Sequence, residues 1–317
     1  MTHTVIKLGG SVLTGPSAAS AVRCILKEYE GPIVVVVSAL KGVTDELVEA
    51  VDRSARRDDG LISALRARHR AAIAAFAAPG PGARASAAAV EAARARIDEL
   101  LERLGELLAC PSSRRDRRAR VLASGERLSA ACVAVAAAAI GRPGPVIEPG
   151  RLGLRARGHD FDAEADIPLS APAVRAAVDC LDLAVVPGFY GVAEDGRPLL
   201  FGRGGSDYSA AVIAACLGAR SCDLVKDVPG LFSADPGLVP DARPIPELSY
   251  DEAASLAAAG AKVLHPRCVG PLAASRVSLR VRGASLADGM TVVGRRPESK
   301  DRRAAPPAAL AAAREIA

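Results

Sequence analysis

The chain has 317 residues, half of them hydrophobic and 24% charged, which allows one large or two smaller globular domains with a sizeable core. A net charge of +5, from 41 basic and 36 acidic residues, is too small a surplus to argue for nucleic-acid binding. Aromatics are 3% and Trp is absent, so the core must be aliphatic.

The densest basic run, Arg114 to Arg120, has no interleaved aromatics for base stacking and reads as a solvated loop. Seven cysteines at irregular spacing, with no C-x-x-C pair, argue against a disulfide framework or zinc site and for buried, reduced thiols in a cytoplasmic protein. No apolar stretch reaches spanning length without charge or Pro, and no basic-then-apolar leader precedes the first strand. Neither membrane insertion nor secretion is expected.

Val5 to Leu8 is a strand-like run that enters Gly9-Gly10-Ser11. Ile33 to Val37 is a continuous β-branched run, as in strands buried on both faces of a parallel sheet. It ends in Ser38-Ala39-Leu40-Lys41-Gly42, and Thr44 is expected to cap the helix opening Asp45-Glu46-Leu47. Residues 52 to 118 are Ala-, Arg- and Glu-rich with helical spacing broken at Pro79-Gly80-Pro81-Gly82, which predicts a surface hairpin of two helices. Ser124-Gly125-Glu126 opens a further helix, Arg127 to Ile140, with an apolar face toward a sheet, and Val146-Ile147 is a candidate strand.

Leu183 to Val186 is another buried strand, ending at Pro187-Gly188. Leu199-Leu200-Phe201 leads into Gly202-Arg203-Gly204-Gly205-Ser206-Asp207 and an Ala-rich helix to Leu217. Asp223-Leu224-Val225 resumes the sheet and stops at Asp227-Val228-Pro229-Gly230. A helix around Asp251 to Ala259 precedes Gly260 to Pro266, and Leu279 to Arg282 alternates as an outer strand does. Residues 295–317 form a Pro- and Ala-rich tail, loose or a peripheral helix. Strands alternating with helices predict a three-layer α/β/α sandwich with a mainly parallel central sheet.

Gly9-Gly10, Lys41-Gly42, Pro187-Gly188 and Gly202 to Gly205 each follow an apolar run. Ligands of open α/β sheets gather where strands end, and glycine lets backbone N–H groups approach phosphate oxygens. This pattern alone is common to many α/β proteins. The signatures G-x-x-x-x-G-K-[ST], H-R-D with D-F-G, H-E-x-x-H and G-x-S-x-G are all absent from the sequence.

A more particular signal is spread along the chain. Lys7-Leu8-Gly9-Gly10-Ser11 resembles the N-terminal phosphate motif of the amino acid kinase superfamily. Val37 to Asp45, Ser124 to Ser129, Gly202 to Asp207 and Gly260-Ala261-Lys262-Val263-Leu264-His265-Pro266 resemble aspartate kinase, in that family's order. Asp227 to Pro236 resembles the nucleotide-site stretch of the superfamily. The similarity runs from about residue 4 to 294.

The resemblance implies a carboxylate kinase using ATP and Mg2+, with the ion held largely by the phosphates. It implies an acceptor lobe over residues 1–190, a nucleotide lobe over 191–294 and a homodimer. Lys7, oriented by Asp207, and Lys262 would act on the transferring phosphoryl group, with Gly9, Gly10, Ser11, Gly204 and Gly205 holding its oxygens through N–H groups. An amino acid acceptor needs both signs of charge. Arg203 suits its α-carboxylate, Glu126 its α-ammonium, and Ser38, Thr44 and Ser206 the reacting side chain. Lys226, Asp227, Phe232 and Lys262 fall on nucleotide positions.

Plainer readings stand beside these: Lys7 as a strand-edge lysine, Glu126 as a first-turn carboxylate, Lys262 as a helix-end lysine, Asp207 as a cap, and His265 as structural.

The chain departs from aspartate kinases at several positions. Lys226 stands for the usual Thr, Phe232 for Tyr, Gly237 for Arg, and Tyr208 for a small Thr, while Ser11-Val12 is closer to isopentenyl phosphate and uridylate kinases. No room follows Val293 for the paired regulatory ACT domains of aspartate kinases, so insensitivity to lysine and threonine is expected. A paralogue with another acceptor, or a non-catalytic nucleotide-binding protein on the same scaffold, are the rival readings.

Overall fold

The computed structural model describes residues 2–53, 56–80, 84–111, 116–234, 239, 241–259, 263–285, 287 and 289–294. The chain opens with β1 (Thr4–Leu8), α1 (Ala18–Lys27), β2 (Ile33–Val37) and α2 (Val43–Asp52). Then come α3 (Asp59–Ala77), α4 (Ala87–Ala109), α5 (Arg117–Leu122), α6 (Ser124–Ala139) and α7 (Pro149–Leu152). They are followed by β3 (Ala156–His159), β4 (Asp162–Ala165), α8 (Ile167–Val178), β5 (Leu183–Pro187), β6 (Tyr190–Val192) and β7 (Pro198–Leu200). Next are α9 (Gly205–Leu217), β8 (Ser221–Val225), β9 (Leu231–Phe232), β10 (Pro244–Ile245) and β11 (Glu247–Leu248). The last elements are α10 (Tyr250–Ala258), α11 (Pro266–Ser275), β12 (Ser278–Arg282) and β13 (Met290–Val293).

Seven strands form one sheet in the order β11-β13-β12-β8-β1-β2-β5, parallel except where β12 meets β13. Its central strands are buried along their whole length. With a side-chain period of two, Ile6, Leu8, Val35 and Val37 enter the core under α1 and α6, while Val5, Val34 and Val36 enter the one under α8 and α9. This is the three-layer sandwich that the sequence pattern predicts. From β1 the chain adds β2 and β5 on one side and β8 and β12 on the other, so the strand order reverses at β1. Crevices for ligands form at such a point, beyond the carboxyl ends of the strands.

The structure corrects several expectations. Gly42, with φ of 85°, is the N-cap of α2, and Thr44 lies inside its first turn. The 52–118 segment does contain two antiparallel-type helices, α3 and α4, but they are more than surface decoration. Leu65, Ile73, Phe76, Ile97, Leu101 and Leu104 are buried beside α6. Val146 makes a single bridge to Val185 and no strand. β12 lies inside the sheet, because β13 and β11 extend it further.

In the basic run, Arg114 and Arg115 lie outside the described residues, and Arg117 is buried. Its guanidinium donates to the Leu107, Leu108 and Val51 carbonyls, which close the C-terminal turns of α4 and α2. The helical run Arg117–Ala139 is long and apolar enough by length and composition to cross a membrane, although it carries Glu126 and Arg127, in keeping with the reading that no spanning-length stretch is free of charge. It is apolar all round because α6 is wedged between the sheet and the α3–α4 pair, and 83% of its apolar window is buried.

Candidate active site

Lys7 projects from β1 on the α9 side of the sheet, level with Val36 and Leu224. α9 begins at Gly205 after Gly204 turns the chain with φ of 68°, and its first turn delivers Asp207. The Lys7 ammonium lies 2.7 Å from Asp207 Oδ1, as an ion pair outside hydrogen-bond angles, and Lys226 donates to Oδ2 at 2.7 Å. All three groups are shielded, with side-chain exposures of 8%, 6% and 17% for Lys7, Asp207 and Lys226. Burial alone would raise the Asp207 carboxyl, but the charges of Lys7 and Lys226 outweigh it and hold it at about 2.

Across the same cleft, the first turn of α6 carries Glu126, which is 3% exposed. Ser206 Oγ donates to its Oε1 at 3.4 Å, while Oε2 has no hydrogen-bond partner among the described residues. Burial pushes the Glu126 carboxyl up to about 7, against the opposing pull of the Ala39 and Glu126 amides, Ser206 and the Lys7 charge. A buried acceptor left unpaired is costly, and a cationic group entering the cleft would satisfy it. Lys7, Ser38, Thr44, Glu126, Arg203, Gly204, Gly205, Ser206 and Asp207 thus line one cavity of about 280 Å³.

The cleft walls depend on close backbone approach. A Cβ on Gly10 would stand 2.5 Å from the Ala39 carbonyl oxygen, so glycine lets the 9–11 turn and the 38–42 loop meet. Gly204 is pinned likewise, since a Cβ there would fall 2.6 Å from the His265 ring. His265 is structural, as its Nδ1 accepts from the Arg267 N–H at 3.4 Å and caps α11. Burial, followed by the charge of Arg267, pushes its imidazole below the usual range.

The phosphate-loop expectation needs two corrections, at Gly9 and at Gly205. The Gly9 N–H is spent on the Val225 carbonyl at 3.2 Å, because the β1–β8 ladder runs on past the strand end. A Cβ on Gly9 would come 3.3 Å from that same Val225 oxygen, a tight approach, and 3.6 Å from the Lys7 nitrogen, an ordinary contact. The Gly205 N–H is likewise taken by Gly202. The N–H groups of Gly10, Ser11, Ser206 and Asp207 have no acceptor among the described residues, which leaves two helix- or turn-borne donor pairs for an anion.

Lys226 reaches the cleft only through Asp207. Asp227 is exposed, Phe232 is half-buried in β9, and neither lines the cavity. Gly260, Ala261 and Lys262 lie outside the described residues, as do Asp235 to Gly237 and the 295–317 tail.

Tyr208 does not line this cleft. Its hydroxyl accepts from the Ala165 N–H at 3.3 Å, its ring stands edge-on to Phe201, and the Arg267 guanidinium lies 4.5 Å over it. Phe189 is a lining residue that motif reading missed. It holds φ of 80°, with its N–H donating to Ser209 Oγ and its carbonyl accepting from Phe201. Left-handed backbone at an aromatic residue is strained and recurs at functional sites. The Pro187-Gly188 turn before it was the available signal.

A larger cavity of about 830 Å³ lies on the other side of the α6 first turn, lined by α4 and the β6–β7 hairpin. Arg96 and Arg127 there are paired with Glu148, and Arg103 with Glu99. Among the described residues it has no unpaired buried polar side-chain atom, whereas the smaller cleft has Glu126 Oε2. The smaller cleft is the candidate site.

The chain is similar to known proteins in sequence and in fold. The chain is 45% identical over 149 residues to the bifunctional aspartokinase/homoserine dehydrogenase of Haemophilus influenzae, covering 47% of this chain and 18% of that one. It is 35% identical over 197 residues to the aspartokinase of Corynebacterium glutamicum, covering 62% and 46%. The crystal structure of E. coli aspartokinase III in complex with aspartate and ADP superposes with a TM-score of 0.80 at 27% identity, over 93% of this chain and 65% of that one. The chain therefore spans less than half the length of these two curated relatives. The profile of the amino acid kinase family matches residues 2–283, a stretch that carries every strand of the sheet but β13, together with the lysine–aspartate cluster and the Glu126 cleft. The chain belongs to the amino acid kinase family.

Proposed function

We propose that the chain is an aspartate kinase-type catalytic unit that converts ATP and L-aspartate to ADP and 4-phospho-L-aspartate. One observation carries this reading: a single cleft is lined by a buried lysine–aspartate pair, backed by Lys226 on the same carboxylate, by an arginine and by a buried carboxylate with an oxygen unpartnered among the described residues. Such a site offers both signs of charge to a zwitterion and excess positive charge to a phosphate.

In this reading Arg203 grips the α-carboxylate and Glu126 pairs with the α-ammonium. Ser38, Thr44 and Ser206 steady the side-chain carboxylate. One of its oxygens attacks the γ-phosphorus, the bond from phosphorus to the β–γ bridging oxygen breaks, and ADP leaves with that electron pair. The attacking group is already an anion, so no general base is required, in keeping with a structural His265. Lys7, and Lys262 as the sequence resemblance implies, neutralise the transferring group, while Gly10, Ser11 and the amides opening α9 supply hydrogen bonds. Asp227 and Phe232 are assigned to the nucleotide.

The described residues include no group of three or more His, Cys, Asp or Glu side chains able to cage a metal ion. Magnesium accompanying ATP would be carried by the triphosphate and water. An acceptor lobe over 1–190, a nucleotide lobe over 191–294, a cytoplasmic homodimer and a place in amino-acid biosynthesis, including that of lysine and threonine, complete the reading.

The rival acceptor reading drew on Tyr208, whose ring is engaged with Phe201 and Arg267 away from the cavity. The test is ADP release across aspartate, glutamate and homoserine, with hydroxylamine trapping of the acyl phosphate. Aspartate-dependent ADP and hydroxamate are expected. Turnover with a different acceptor alone replaces aspartate, and nucleotide binding without any turnover supports the non-catalytic alternative.

A further inference from the structure

Lys226 holds a position that the catalytic cluster does not need for its own neutrality. β8 lies beside β1 in parallel register, with Leu8 level with Val225, so the residue after β8 emerges next to the Gly9 turn. The Lys226 N–H is fixed to the Arg282 carbonyl at 2.9 Å from the β12 side, which orients the side chain toward α9. Its ammonium then takes Oδ2 of Asp207 at 2.7 Å while Lys7 takes Oδ1 at the same distance.

One carboxylate would be satisfied by one lysine. Two ammonium groups on one carboxylate leave a net positive charge in a site where the three side chains are at most 17% exposed. Nearby groups do not cancel it. Glu126 is half-protonated near neutral pH, Arg203 adds positive charge, and Asp227 is exposed to solvent without a partner among the described residues. A shielded excess cation is unfavourable by itself and is relieved by an incoming anion. Lys226 also keeps N–H donors beyond the one that Asp207 accepts.

We propose that Lys226 is a phosphoryl-contacting residue, clamped by Asp207 opposite Lys7 so that a nucleotide polyphosphate is met by two ammonium groups from adjacent strands. This rests on the kinase reading above and deepens it, for it gives Asp207 the job of spacing two cations rather than orienting one. The ligand class is a nucleoside triphosphate or diphosphate.

The test compares wild type with Lys226→Met and Lys226→Arg, using titration calorimetry with the non-hydrolysable triphosphate analogue AMPPNP and with adenosine, alongside steady-state turnover. Lys226→Met should weaken AMPPNP at least about tenfold and lower kcat at least about tenfold, with adenosine affinity and the KM for the acceptor within about twofold of wild type. Lys226→Arg should recover part of both losses, because it keeps the charge. A merely structural lysine would move adenosine and AMPPNP together, or neither. Equal AMPPNP affinity in Lys226→Met and wild type overturns the assignment of Lys226 alone. A wild type that neither binds AMPPNP nor turns over any acceptor brings down the kinase reading and this assignment with it.

Discussion

Replacing Glu126 by Gln removes a buried titration that should be visible in stability, independent of any assay of turnover. The folded protein holds the Glu126 proton up to about pH 7 against an ordinary value of 4.5. The native state binds that proton more tightly than the unfolded chain, so its stabilising contribution is complete below pH 4.5 and lost as pH rises through 7. Integrating the linkage gives a loss of about 2.5 kcal/mol between pH 5 and 8. Glutamine cannot ionise, so the stability of Glu126→Gln relative to wild type should climb by that amount across this range. Denaturant unfolding of both proteins at several pH values measures the difference, and groups common to both, such as His69, cancel.

Substrate makes a second readout of the same residue. An ammonium placed against Oε2 favours the carboxylate, so aspartate binding at pH 7 should release about half a proton, seen as buffer-dependent heat in calorimetry. Glu126→Gln should abolish that release and weaken aspartate by about 10- to 100-fold through loss of a charge-assisted contact. Parallel pH–stability profiles for the two proteins would refute the burial argument. Normal aspartate affinity in the variant would refute the ammonium assignment.

Gly10→Ala puts a methyl 2.5 Å from the Ala39 carbonyl oxygen, so the phosphate turn and the 38–42 loop must separate. A stability loss of about 1–3 kcal/mol and at least about a tenfold fall in turnover are expected, measured by thermal unfolding and ADP release. Tyr208→Phe removes the hydroxyl that accepts from Ala165 while keeping the edge-on ring packing on Phe201. It should cost about 1 kcal/mol and leave the ranking of acceptors unchanged; a shift in acceptor preference would return Tyr208 to the substrate site.

The linear sequence by itself determined the central strands, the three-layer class and the family. Runs such as Ile33–Val37 are buried on both faces and need no partner to be recognised, and glycine-bearing motifs are contiguous in the chain. It also pointed to Lys7, Glu126, Arg203 and Asp207, which the fold brings to one cavity, because each sits at the end of a strand or the start of a helix where a parallel sheet gathers its ligands.

Tertiary structure decided what those positions do to one another. No spacing rule reveals that Lys226, which follows a different strand, shares the Asp207 carboxylate with Lys7, since the pairing depends on β8 lying beside β1. The direction of Tyr208, the strained backbone of Phe189 and the spent amide of Gly9 likewise follow from packing across elements distant in sequence. The apolar length of α6 is also ambiguous in sequence, because burial inside a protein and burial inside a membrane select the same residues. Only the α3–α4 pair packed over it shows which of the two applies.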